Sequence, residues 1–148
     1  MNGVVVGVDG SPGSAAALLF ALEEARLRGT TLHVVWAWQV PAMTYTGDAG
    51  VGIADLSAEV ETQAGKALDA ALADLDVGDV PLEEHVLEGH PAGVLLDAGA
   101  GADLLVVGSR GQGGFARLLL GSVGHEVAQH APCPTVIVPT PTDRPDLT

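Results

Sequence analysis

The sequence predicts an open, doubly wound α/β domain: a five-stranded parallel sheet with helices on both faces. Three observations lead there. Short runs rich in valine and leucine alternate with longer segments of helical character. The clearest runs are apolar throughout rather than at every second residue, as strands buried on both faces are. Glycine, proline, serine or aspartate stands at the joints between them.

Val4-Val5-Val6-Gly7-Val8 reads as the first strand. Ser11 suits a helix N-cap and Pro12 the first helical position. The helix then runs to about Arg28, with Gly29 as its stop and Arg26 and Arg28 facing the negative end of its dipole. Residues 31–37 read as the second strand, with Trp36 and Trp38 on one side of it. One tryptophan is read as core and the other as an interface or lid contact. Residues 39–54 have no clear period and read as a long loop of the kind that covers ligands, with Tyr45 placed to close over one. Asp55 and Ser57 open a second helix, carried by Val60, Ala64, Leu68, Leu72 and Leu75.

Residues 82–87 form a weaker third strand, and residues 91–100 a short helix. Residues 103–108 are the fourth strand. A glycine-rich stretch follows to Gly114, then a helical turn over residues 115–120 and a last helix, Ser122–His130. Pro132 ends that helix, and residues 134–138 make the fifth strand. Residues 1–139 form the domain, and residues 140–148 read as a loose tail.

Composition narrows the function. The chain has 148 residues, one domain's worth. Six Lys and Arg against 19 Asp and Glu leave a net charge of −13. That argues against a nucleic-acid binder, which needs clustered cations, and against docking on anionic lipid. Yet 47% of the residues are hydrophobic and only 17% charged, so the chain is no disordered acidic tail. The single cysteine, Cys133, excludes an intramolecular disulfide, and its place between two prolines reads as packing. No cationic, apolar leader opens the chain, and residues 15–22 fall short of the roughly 18 apolar residues a membrane span needs. A cytoplasmic protein is expected.

In open α/β sheets, ligands bind beyond the carboxyl ends of the strands. Two such ends are rich in glycine, residues 7–11 and residues 108–114. Each precedes a helix start, which offers backbone N–H groups to an anion. A Walker A loop is excluded, because the only lysine, Lys66, lies inside a predicted helix. Gly111-Gln112-Gly113-Gly114-Phe115-Ala116 satisfies a G-x-G-x-x-A pattern, but it does not follow the first strand of a βαβ unit. His33, His85, His90, His125 and His130 show no metal-ligand spacing, so structural or surface roles are expected for them and no protein metal site.

A wider pattern is more specific. Gly108-x2-Gly111-x9-Gly121-Ser122 matches the nucleotide-binding signature of the universal stress protein family. Residues 102–111, 119–123 and 131–134 resemble the same family, as does Val6-Gly7-Val8-Asp9-Gly10-Ser11 near the start. The resemblance extends to about Pro139 and implies a sheet of order 3-2-1-4-5 in the ATP-binding branch. It places Asp9 and the backbone of Val34 against adenine and ribose, with Gly7, Val8, Val107 and Gly108 lining base and sugar. Gly111, Gly121, Ser122 and Val123 would hold the phosphates, with Arg110 adding a positive charge beside them. A bridging Mg²⁺ is expected, as is a homodimer through the edge strand Thr135–Val138.

The functional expectation is a regulatory ATP-binding stress-response protein. Nucleotide would order residues 39–54 and 108–121 and so alter what an unknown regulatory partner meets. No general base is evident at the phosphate end, so at most slow hydrolysis is expected. A slow ATP hydrolase or adenylate-handling enzyme, and an interaction module without nucleotide, remain as alternatives.

Overall fold

A computed structural model describes residues 1–40, 52–111 and 120–140, with the backbone alone at Ile53. Nine elements alternate along it: β1 (Val4–Gly7), α1 (Pro12–Arg28), β2 (Leu32–Trp38), α2 (Ile53–Leu72), β3 (Leu82–Glu88), α3 (Pro91–Gly99), β4 (Leu104–Gly108), α4 (Ser122–His130) and β5 (Thr135–Val138). The strands form one five-stranded sheet in the order β3-β2-β1-β4-β5. Every pairing is parallel, with Val4 opposite both Leu32 and Leu104. Fold class and strand order are as the sequence predicts.

The sheet buries both faces. On one, Val4, Val6, Leu32, Val34, Leu104 and Val106 pack with Leu18 and Leu22 of α1 and Leu68 of α2. On the other, Val5, Val35, Leu105 and Val107 pack with Leu95 and Ala98 of α3 and Val127 of α4. This two-sided burial explains why the central strands are apolar at every position. The edge strand β3 reads Leu-Glu-Glu-His-Val-Leu-Glu and is only partly covered, hence its weaker signal.

Helix α1 shows how local signals place an element. Ala17, Ala21 and Ala25 lie on its buried stripe and let its axis approach the sheet. The Ser11 side chain accepts from the Ser14 N–H at its start. Gly29 ends it in the left-handed conformation, φ 62°, with its N–H on the carbonyls of Ala25 and Arg26. Exposed ion pairs, Arg26–Glu23 and Arg28–Glu24, dress its last turns and contribute little.

Two boundaries differ from expectation. Helix α2 begins at Ile53 behind an N-cap glycine, Gly52, so Asp55 sits in its first turn, where the dipole favours it. It ends at Leu72, and Leu75 joins the core from beyond the helix. Trp38 is buried, while Trp36 is partly buried against the core under α1. The expected loop closure over 39–54, Tyr45 within it, the helical turn at 115–120 and the C-terminal tail fall largely or wholly outside the described residues. No described helix is long and apolar enough to cross a membrane.

One polar cluster lies on the sheet where its edge strand β3 pairs with β2. His33 on β2 and Glu83 and His85 on β3 stand together because β2 and β3 pair in register, His33 opposite Glu83. Burial, then the neighbouring His33, hold the His85 imidazole below its usual pKa.

Candidate functional site

The order of the sheet reverses at β1. Its chain neighbour β2 lies on one side, and β4 on the other. Beyond the carboxyl ends of these strands lies a cavity of about 550 Å³, within the usual range for small-molecule sites. The end of β1 contributes Gly7, Val8 and Asp9; β2 contributes Val35, Ala37 and Gln39. The end of β4 contributes Val107 through Gly111. The starts of α3 (His90, Pro91, with Leu95) and α4 (Gly121–Gly124) form the rim.

The structure brings together Gly7, Val8, Asp9, Val107, Gly108, Arg110, Gly111, Gly121, Ser122 and Val123, all expected from the sequence. It does not bring Val34 there. Val34 lies inside β2 opposite Val6 and Glu84, with its side chain in the core under α1. Successive residues of a strand face opposite sides, so the β2 side chains that line the cavity are those of Val35 and Ala37, while the expectation for Val34 concerned its backbone. Sequence reasoning also missed the start of α3. His90 had no visible partner in sequence; α3 follows the end of β3 and packs on the sheet and on α4, and its start then borders the cavity.

The two glycine-rich strand ends have different jobs. At α1, the Ser11 and Ser14 N–H groups are held by local side chains. Ser11 N–H donates to Asp9 Oδ1 at 2.9 Å, and Ser14 N–H to Ser11 Oγ at 3.2 Å. Pro12 has no N–H to offer. The sequence suggested that both helix starts offer N–H groups to an anion; at α1 two of them, those of Ser11 and Ser14, are taken up by the Asp9 and Ser11 side chains. Ser11 is therefore a cap, as expected.

At α4 the N-cap is Gly121, which has no side chain to cap the first turn. The Gly121 N–H donates to the Ser109 carbonyl at 2.6 Å, tying the helix start to the end of β4. The first-turn backbone of Ser122, Val123 and Gly124 then borders the cavity, where the dipole and N–H groups favour an anion.

The signature glycines divide by what crowds them. A Cβ at Gly108 would meet the Gly13 carbonyl carbon and oxygen at 2.8 Å, so this glycine lets α1 approach β4. A Cβ at Gly111 would stand 2.5 Å from Asp9 Oδ2, within the cavity wall. A Cβ at Gly121 would make ordinary contacts of 3.4 Å or more, so no crowding demands glycine there.

Asp9 is the only carboxylate among the described lining residues, and Arg110 the only guanidinium. Mg²⁺ held chiefly by phosphate oxygens and water suits such a wall, because this ion needs few protein ligands. Cys133 lies away from the cavity, packed near Gly99 and Leu105, and burial pushes its thiol pKa up. It is not an activated nucleophile.

Comparison with known proteins agrees with this placement of the chain among α/β folds. Residues 1–139 match the sequence model of the Universal stress protein family. A universal stress protein of Mycobacterium tuberculosis is 39% identical over 137 residues, covering 90% of this chain and 44% of the relative. The chain thus spans about half the length of the curated relatives it matches. A universal stress protein solved in complex with cAMP superposes with a TM-score of 0.61 at 30% identity, covering 94% of this chain and 97% of the other. One from Archaeoglobus fulgidus, in complex with dAMP, gives a TM-score of 0.55 at 26% identity, covering 93% and 98%.

Proposed function

The chain belongs to the universal stress protein family, and from that premise we propose that its cavity binds an adenine nucleotide, ATP with Mg²⁺, as a regulatory ligand. The observation that carries this reading is the glycine-capped start of α4 at the cavity rim, tied to the end of β4 through Gly121 and Ser109. In this reading Gly111, Gly121, Ser122 and Val123 receive the phosphates on backbone N–H groups and the Ser122 hydroxyl. Arg110 supplies positive charge beside them. Gly7, Val8, Val107 and Gly108 line base and sugar, joined by Val35 and Ala37, and Asp9 accepts a ribose hydroxyl. Mg²⁺, when bound, neutralises phosphate charge in a protein whose net charge is −13.

The related cAMP and dAMP complexes favour a second reading, in which the ligand is an adenosine monophosphate. Mass spectrometry of nucleotide released from the purified protein, with competition among ATP, AMP and cAMP, separates the two. ATP is expected to compete best, and only in the presence of Mg²⁺. Equal competition by AMP would transfer the claim to the monophosphate, and no competition by any adenine nucleotide would overturn both.

The proposal includes a cytoplasmic homodimer paired through β5. All four residues of this edge strand, Thr135–Val138, are half-buried in the single chain, as suits a strand open to a further partner. Light scattering would give twice the chain mass; a monomer at micromolar concentration would contradict it. Nucleotide binding without multiple turnover in a phosphate-release assay is the expected enzymology.

A further inference from the structure

Three side chains with metal-binding atoms converge at the β2–β3 edge, a region the nucleotide cavity does not include. His33 Nδ1 lies 3.0 Å from His85 Nε2 and 3.3 Å from Glu83 Oε2, and His85 Nε2 lies 3.8 Å from the same oxygen. Ligand atoms about 2.0–2.1 Å from a tetrahedral ion stand about 3.3 Å from one another. The three separations bracket that value, so one ion fits between them with little movement.

The proton positions suit this use. His33 Nε2 lies 2.7 Å from the Asn2 carbonyl oxygen, which can only accept. Nε2 of His33 therefore carries a proton, and in the neutral ring Nδ1 is the nitrogen left to bind an ion on the cluster side. A backbone carbonyl holding the far nitrogen is the usual support of a metal-bound histidine. With both rings neutral and metal absent, His85 Nε2–H is the donor to His33 Nδ1 at 3.0 Å. Metal binding moves that proton to His85 Nδ1 and leaves both rings neutral.

The backbone presents the ligands rigidly. His33 pairs with Glu83 across the parallel ladder, and Glu83 and His85 are two apart on β3, so all three share a face. His33 is 9% exposed in its side chain, His85 23% and Glu83 61%. The buried histidine anchors the set, and the exposed carboxylate gives the ion an entry and leaves room for water.

We propose that His33, Glu83 and His85 form a binding site for a divalent transition-metal ion of the zinc type, with water in the fourth position. Two imidazoles and one carboxylate favour Zn²⁺, Ni²⁺ or Cu²⁺ over Mg²⁺ or Ca²⁺, which prefer all-oxygen shells. The ion would clip the edge strand β3 to β2 and so stabilise the sheet when bound. The inference is independent of the nucleotide reading.

The test is calorimetric titration of the metal-stripped full chain with zinc chloride, with and without excess magnesium. One zinc per chain is expected, undisturbed by magnesium. His85→Gln and Glu83→Gln should each weaken it by about tenfold or more, whereas His130→Gln, at the exposed end of α4, should not. Glu83→Gln changes an exposed side chain and keeps the test valid if His85→Gln fails to fold. Cobalt(II) should give the intense visible absorption of tetrahedral coordination. No saturable zinc binding, or binding unchanged in Glu83→Gln, would overturn the site.

Discussion

Gly111 and Asp9 meet across the cavity wall so closely that a methyl carbon on Gly111 would stand 2.5 Å from Asp9 Oδ2. The carboxylate cannot simply turn aside, because its other oxygen holds the Ser11 N–H at the start of α1. Gly111→Ala should therefore distort the site more than the fold. Nucleotide affinity is expected to fall by about tenfold, while the melting free energy changes by less than about 1 kcal/mol. Parallel binding and thermal-melting experiments check the split.

Gly108→Ala should behave in the opposite way. Its new carbon meets backbone, the Gly13 carbonyl at 2.8 Å and the Ser14 nitrogen at 3.2 Å. Backbone cannot yield as a side chain does, so a stability loss of about 1–3 kcal/mol is expected. Urea denaturation measures it; a loss much smaller than that would show that α1 does not pack on β4 as described.

Ser11→Ala removes the acceptor for the Ser14 N–H. A cap of this kind is worth about 1 kcal/mol. The loss should appear in stability, with nucleotide affinity little changed, since Ser11 serves the helix and does not line the main cavity.

The His85 pKa is lowered in the native protein, by burial first and then by His33. Its unfolded value is near 6.5, so below about that pH the unfolded chain takes up a proton that the native protein resists. The contribution of His85 to metal-free stability should therefore be level above this pH and fall as the pH drops through it toward the lowered native value. His85→Gln should flatten that fall. Denaturant titrations across the window check it, and an unchanged pH dependence in the variant would contradict the assignment.

How much was readable in advance follows from what is local. Strands β1 and β4 announce themselves because burial on both faces makes every residue apolar, and α1 carries its own cap, proline and stop. The glycine-rich end of the cavity was readable because Gly108, Gly111, Gly121 and Ser122 fall in one stretch of chain. For Val34 the expectation concerned its backbone; which side chains of β2 line the cavity was not readable, because an all-apolar strand gives no phase and Val34 and Val35 look alike but face opposite sides of the sheet. The His33–Glu83–His85 cluster was invisible for a different reason. His33 and His85 are 52 residues apart in sequence, and only the β2–β3 register joins them.

The most direct test of the nucleotide reading is calorimetry of ATP with Mg²⁺ on the native chain and on Gly121→Asp. Asp is a good N-cap, the Gly121 backbone is already extended, and its Cβ finds ordinary contacts. The variant should fold at least as stably while placing a carboxylate where the phosphates are proposed to sit. One ATP per native chain, weakened by about a hundredfold or more in Gly121→Asp, is the predicted result. Equal binding by the two proteins, or none by the native chain, would contradict it.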